Sequence, residues 1–325
     1  MTRFRSTSRR GFIGTGLAAL ALGATLPGAR AQGANASTGR VLRIGYQKGS
    51  LSILKARGTL EKRLAASGTR VEWTEFPSGP PQLEALNVGS IDFGDVGEAP
   101  PIFAQAAGAP IVYYGQTAKR PASEAVIVPA NSPITSIRDL KGKRIALTKG
   151  SNTHFLLVRL LAAAKLDYRD VTPVWLSPSD ARAAFETRAV DAWAIWDPFL
   201  AVAQKTANAR IVADGTGVVG NRAYYFTSQR YAEKNDDVLR VALAELIALD
   251  KWIESNRSAA ADEFSRLWGL PHDVVDVALQ RLRYGVEPIS RDALADQQRI
   301  ADAFLQLKLL PKAIEVARAA PPGLA

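Results

Sequence analysis

Residues 43–50 read "RIGYQKGS" and residues 144–151 read "RIALTKGS", with five of the eight positions identical. Two more phrases recur in the same order. "VEWTEFPSGPPQLEAL" (71–86) is echoed by "VTPVWLSPSDARAAF" (171–185), each a β-rich run, a Pro/Ser turn and then a helical stretch. "VGSIDFGDVGEAPP" (88–101) is echoed by "RAVDAWAIWDP" (188–198), which sets Asp92 against Asp191. One such echo is ordinary strand-helix grammar. Three in register imply two lobes of similar β-α-β-α-β build.

Local patterns agree. Short apolar runs rich in β-branched residues (41–46, 111–114, 125–128, 144–147 and 192–195) alternate with helical stretches. "FLLVRLLAAAKL" (155–166) is apolar nearly all round, as a helix buried against a sheet would be. "SPSDARAAFETR" (177–188) opens with a Ser cap, Pro at the first helical position and Asp at the third. This alternation predicts an α/β fold with mainly parallel sheets and helices on both faces. Beyond "YYFTSQRYAEK" (224–234) the pattern predicts helices only, at roughly 237–256, 259–268, 272–283 and 291–307. They carry no further βα unit, so they are expected to pack on one of the lobes.

The 325 residues are 47% hydrophobic and 22% charged, as in a soluble globular chain of about two domains. Five of the basic residues behind the net charge of +10 (Arg3, Arg5, Arg9, Arg10 and Arg30) lie in the first 31 residues, which hold no acid. Without them 36 basic residues face 31 acidic ones. No Lys/Arg block is interleaved with aromatics, so nucleic acid is not an expected partner. "STSRRGFIG" (6–14) carries a twin arginine, an uncharged run follows from Gly11 to Ala29, and "ARA" (29–31) fits a small-residue cleavage site. Residues 1–31 therefore read as a twin-arginine export signal and predict a periplasmic protein; an uncleaved anchor is the alternative. With no cysteine there are no disulfides, thiolate metal sites or Cys nucleophiles.

Open α/β sheets bind ligands beyond the carboxyl ends of their strands. Four turns occupy such ends: 47–50, 97–99, 150–154 and 196–198. If the halves face each other, all four converge on one cleft. Helix starts carry unpaired N–H groups and a partial positive charge, which favours anions. Pro100 and Pro101 pre-set helical φ where their missing N–H is not needed. Gly97 lets a ligand approach the backbone, leaving the amides of Glu98 and Ala99 to donate. "KGSNTH" adds Ser and Thr hydroxyls and an Asn amide from the other half, a pairing suited to a small tetrahedral or planar anion. Plainer roles stand beside these: Ser151 and Thr153 as helix caps, Glu98 as a cap or rim charge, His154 as structural, His272 as a surface residue. Trp193 and Trp196, three apart on a strand, face opposite ways, one toward the core and one toward the cleft.

The phrases "LRIGYQKGS", "EALNVGSIDFGDVGEAPPIFAQAAGA", "DLKGKRIALTKGSNTH" and "DARAAFETRAVDAWAIWDPF" closely resemble the aliphatic sulfonate-binding proteins of ABC importers. The resemblance covers about residues 40–235, with a looser helical likeness to near 318. It implies a periplasmic binding protein of type II-like build: two α/β lobes joined by a two-strand hinge that close over a ligand and deliver it to a membrane permease with its ATPase. It further implies a monomer, no cofactor and no metal. By position, Gln47, Gly97, Glu98, Ala99, Ser151, Asn152 and Thr153 would hold the sulfonate, and Trp196 and Asp197 would approach its organic tail. The family often has Asp in place of Glu98 and serines in place of Asn152 and Thr153, which bears on the preferred sulfonate. The crossings are expected near 119–128 and 220–228, giving lobe one as 40–122 plus 226–325 and lobe two as 123–225.

Ligand capture without chemistry is thus the expected function, with taurine, nitrate or another small oxyanion as alternative ligands. An enzyme of the pyrimidine-synthase-like family, which shares this fold, would need clustered histidines and cysteines for iron. Two isolated histidines and no cysteine argue against it. A serine hydrolase is disfavoured too, since no G-x-S-x-G occurs.

Overall fold

The echoed phrases fold alike. In the computed structural model, which describes residues 39–322 and 324, β1 (Val41–Tyr46), α1 (Ser50–Arg57), α2 (Thr59–Ala65), β2 (Arg70–Glu75), α3 (Gly79–Asn87), β3 (Phe93–Gly97), α4 (Pro100–Ala106) and β4 (Ile111–Gln116) come first. They are followed by β5 (Glu124–Pro129), β6 (Arg144–Leu147), α5 (Asn152–Ala163), β7 (Thr172–Trp175), α6 (Pro178–Glu186), β8 (Ala192–Trp196), α7 (Phe199–Thr206) and β9 (Ala209–Asp214). The chain ends with β10 (Ala223–Ser228), α8 (Gln229–Ser255), α9 (Arg257–Trp268), α10 (His272–Arg281), β11 (Glu287–Pro288) and α11 (Arg291–Gln306). The export-signal reading of residues 1–31 lies outside the described residues.

The first sheet has the order β2-β1-β3-β10-β4-β11 and the second β7-β6-β8-β5-β9. β1 lies parallel to β2 and β3, as β6 does to β7 and β8. β10 is antiparallel to β3 and β4, and β5 is antiparallel to β8 and β9. The sheets are therefore mixed. Parallel order holds within each echoed unit, but the strand that arrives from the other sheet enters from the opposite end and runs against its neighbours. The pairing of Asp92 with Asp191 has a physical basis. Each carboxylate accepts the backbone N–H of an arginine in the neighbouring strand, Arg43 at 3.0 Å and Arg144 at 2.7 Å. Each amide returns a bond to the carbonyl of that same arginine.

Residues 117–123 and 215–222 connect the sheets. Both connections end earlier than the pattern indicated, because Glu124–Pro129 and Ala223–Ser228 are themselves inner strands. The two run side by side: Thr117 N–H donates to Ala223 O (2.9 Å), Arg120 N–H to Gly220 O (3.1 Å) and Gly215 N–H to Pro121 O (3.1 Å).

The cores follow strand periodicity. Along β10, Tyr224 and Phe226 bury on one face with Tyr113, Phe304 and the α3–α4 side chains, while Tyr225 buries on the other with Phe93 and α8. The all-round apolar character of α5 has a reason beyond packing on its own sheet. Leu156, Leu157, Leu160 and Leu161 pack under the second sheet, whereas Phe155 and Val158 join the core of the first. The last helices sit at 229–255, 257–268, 272–281 and 291–306. The first of these starts earlier than 237 because a short turn of helix precedes a break at Asn235 (φ −139°, ψ 34°).

Candidate ligand-binding site

The four turns leaving β1, β3, β6 and β8 do converge. Gln47–Ser50, Asp95–Gly97, Ser151–Asn152 and Trp196–Pro198 all line one cavity of about 120 Å³. Both connections contribute, through Thr117, Arg120 and Ser123 on one strand and Asn221 on the other.

At the double proline, α4 begins at Pro100 as its missing N–H allows. Gly97 is glycine for steric reasons: a Cβ there would lie 2.9 Å from Asn152 Oδ1 and 3.0 Å from its Cγ. Asn152 belongs to the second sheet's half and Gly97 to the first, so the bare backbone of one half receives a side chain of the other. Gly97→Ala is expected to disfavour this close approach by about 1–3 kcal/mol, the usual cost of overpacking. Calorimetry should then show ligand affinity reduced by roughly 5- to 150-fold with the melting temperature little changed.

Ser151 is almost fully buried and precedes α5, yet its hydroxyl does not cap the helix; it donates to Thr148 O at 2.7 Å. Thr153 is fully buried with its hydroxyl 3.0 Å from that of Ser151, and Ala99 is buried in the core. Glu98 turns its side chain away from this cavity into a second one. Glu98, Ala99 and Thr153 therefore present no side chain to the cleft. Gln47 lines it, but its amide already donates to Gln82 Oε1 and Asp95 O, both at 3.1 Å. The Asn152 amide is committed likewise, to Glu124 and, at 3.3 Å, to Asn221.

Trp193 is buried in the core of the second sheet and Trp196 lines the cleft, as strand alternation requires. Asp197 also lines the cleft, but its carboxylate is engaged. It pairs with Arg281 at 3.0 Å and accepts the N–H of Ala201 at 3.1 Å, so it ties α7 to α10. Burial pushes its carboxyl up to about 7 against the opposing charge of Arg281. Burial likewise pushes Asp95 up to about 6 and raises Asp250, while the charge of Arg120 opposes the shift in all three. His154 is structural: Nδ1 accepts from Gly150 N–H (3.3 Å), Nε2 meets Tyr168 Oη (2.9 Å), and burial lowers its pKa to about 4. His272 starts α10 at the surface, 3.5 Å from Asp262.

Two parts of the site escaped sequence reasoning. The first is Arg120. Its backbone is pinned, its carbonyl accepting from Ser123 Oγ (2.8 Å) and Asn221 Nδ2 (3.1 Å). Among the described residues its guanidinium makes no ion pair or hydrogen bond, and it faces the cleft. The available signal was the uncharged stretch 99–118, after which Lys119 and Arg120 are the first charges. The second is the apolar wall of Phe264, Trp268, Leu279 and Leu282 from α9 and α10, which had no local signal.

Comparison with known proteins agrees with this geometry. A family model described as NMT1/THI5 like matches residues 66–246. The aliphatic sulfonates-binding protein of Escherichia coli (strain K12) is 42% identical over 283 residues, 86% of this chain and 88% of the relative. The alkanesulfonate-binding protein SsuA of Xanthomonas axonopodis pv. citri, solved bound to MOPS, superposes with a TM-score of 0.83 at 43% identity, over 86% of this chain and 97% of that one. A taurine-binding periplasmic protein of Escherichia coli (strain K12) is 27% identical over 215 residues, 63% of this chain and 66% of the relative. The chain belongs to the NMT1/THI5-like family and, within it, to the aliphatic sulfonate-binding proteins of ABC importers.

Proposed function

We propose that the protein captures an aliphatic sulfonate in the cleft between its sheets and hands it to an ABC permease, without chemical turnover. The observation that carries this reading is Arg120, whose guanidinium makes no ion pair or hydrogen bond among the described residues and faces a cleft that also has an apolar wall. A sulfonate supplies what each part lacks, an anionic head for Arg120 and an alkyl tail for Trp196, Trp268 and Leu279. Ser151 and the backbone near Gly97 complete the head site. Each sheet with its helices acts as one lobe, and the connections at 117–123 and 215–222 act as the hinge. Residues 1–31 direct export to the periplasm through the twin-arginine route.

Affinity should rise with tail length. Each methylene buried contributes about 0.8 kcal/mol, or roughly fourfold per carbon. Titration calorimetry with ethane-, propane- and butanesulfonate, beside taurine, sulfate and nitrate, measures this series. Equal or tighter binding of nitrate or sulfate would replace the sulfonate reading with that of an inorganic oxyanion. Catalytic release of sulfite on prolonged incubation would replace it with that of an enzyme.

A further inference from the structure

A second cavity of about 320 Å³ lies where the two connections meet α5 and α11. Lys119, Arg159, Arg222 and Arg299 line it, and its carboxyl groups are Glu98 and Asp296. Asp296 is heavily shared. It meets Lys119 at 3.1 Å, lies 3.8 Å from Arg222 Nε and contacts Arg299. Arg159, the one charged residue on α5, makes no ion pair among the described residues. The Arg222 fork is half used: Nη1 donates to Thr117 O at 2.7 Å, while the buried Nε has no hydrogen-bond partner among the described residues.

Glu98 opposes this positive charge weakly. It is 3% exposed, and its Oε2 accepts the N–H of Arg222 at 3.3 Å, leaving Oε1 buried without a partner among the described residues. Burial pushes its carboxyl up to about 7, with the charge of Asp296 adding to the shift and that of Lys119 opposing it. In its neutral form Glu98 has an O–H to donate. Four cations thus line the cavity with two carboxyl groups, of which Glu98 is about half protonated near pH 7.

We infer that this cavity is a second anion site, distinct from the sulfonate cleft, that takes a multiply charged inorganic oxyanion such as phosphate. Arg159 and Arg299 supply paired N–H donors from α5 and α11, which bear on different sheets. Lys119 and Arg222 supply charge from the two connections. An anion held there joins both sheets and both connecting strands, and it favours the relative placement of the halves described above.

Inorganic phosphate is the probe, titrated calorimetrically at pH 7 and constant ionic strength into the whole protein and three variants. Arg159→Ala and Arg299→Ala alter exposed side chains, and each should weaken phosphate binding about tenfold through loss of charge-assisted hydrogen bonds. The double variant should lose roughly a hundredfold. Arg120→Met, which alters the sulfonate cleft alone, should bind phosphate within about twofold of the parent, the spread expected for independent sites. The inference is overturned if the parent shows no binding at millimolar phosphate or if the double variant binds as the parent does. Loss of phosphate binding in Arg120→Met alone also overturns it, since the anion then sits in the sulfonate cleft.

Discussion

Arg120→Met is expected to abolish sulfonate binding under ordinary assay conditions while leaving the fold in place. Truncating one partner of an enclosed charge pair costs on the order of 2–5 kcal/mol, a loss in affinity of roughly 30-fold to several thousandfold. The guanidinium makes no ion pair or hydrogen bond among the described residues, and the position of the residue is set by its backbone bonds to Gly220, Ser123 and Asn221. The melting temperature of the unliganded variant should therefore stay close to that of the parent below about pH 5, where the buried Asp95 and Asp197 are mostly protonated, and fall below it as the pH rises. Asp95, Asp197 and Asp250 would lose the cation that holds down their pKa values. Arg120→Lys should recover part of the affinity, since it keeps the charge without the planar fork. Calorimetry on the three proteins decides the matter. Binding by Arg120→Met within a few-fold of the parent would move the anion to the start of α5.

The second large effect concerns stability and pH. Glu124 is fully buried at the start of β5, with one oxygen accepting from Asn152 and Oε1 without a partner among the described residues. Burial first, and then the charge of Glu98, raise its pKa well above the ordinary value of 4.5. A carboxyl raised in the folded state contributes stability below its unfolded value. That contribution is lost as the pH climbs from about 4.5 toward the raised value, at about 1.4 kcal/mol per pH unit for one group. Glu124→Gln keeps an acceptor for Asn152 and removes the titration. It should change little at pH 4.5 and stabilise the protein increasingly above it, by at most about 1.4 kcal/mol per pH unit. Denaturant unfolding of parent and variant across this range tests it. A variant that runs parallel to the parent at every pH would show that Glu124 is not the group responsible.

How much of this was legible in the sequence depended on how local its cause is. Strand-helix alternation and the three echoes reflect backbone periodicity and turn chemistry within a few residues, and these recur in the fold down to the twin hydrogen bonds of Asp92 and Asp191. The Trp193/Trp196 split follows from the two-residue period alone. The glycine and prolines at 97–101 were readable as a helix start, but the reason for Gly97 lies in Asn152, 55 positions away in the chain. Glu98 faces the second cavity because β10 returns beside β3 and brings the N–H of Arg222 to it. The wall made by α9 and α10 depends on where helices dock after the last sheet strand, which no nearby residue encodes. Asp197, expected beside the ligand's tail, lines the cleft and also pairs with Arg281, whose helix docks in the same long-range way.

The insertion of β10 between β3 and β4 favours one order of folding over another. By residue 214 every strand of the second sheet has been made, whereas the first still lacks its inner strand. Until β10 emerges, the facing edges of β3 and β4 carry unpaired N–H and C=O groups, an exposure that folding proteins limit. Joining Gly97 to Ala223 across an unstructured loop would be entropically costly and slow. Once the second sheet has folded, its two ends lie together, and Ala223 comes to 2.9 Å from Thr117, the residue that follows β4. An inner half that folded first would hold the next strand at the mouth of the gap it has to fill.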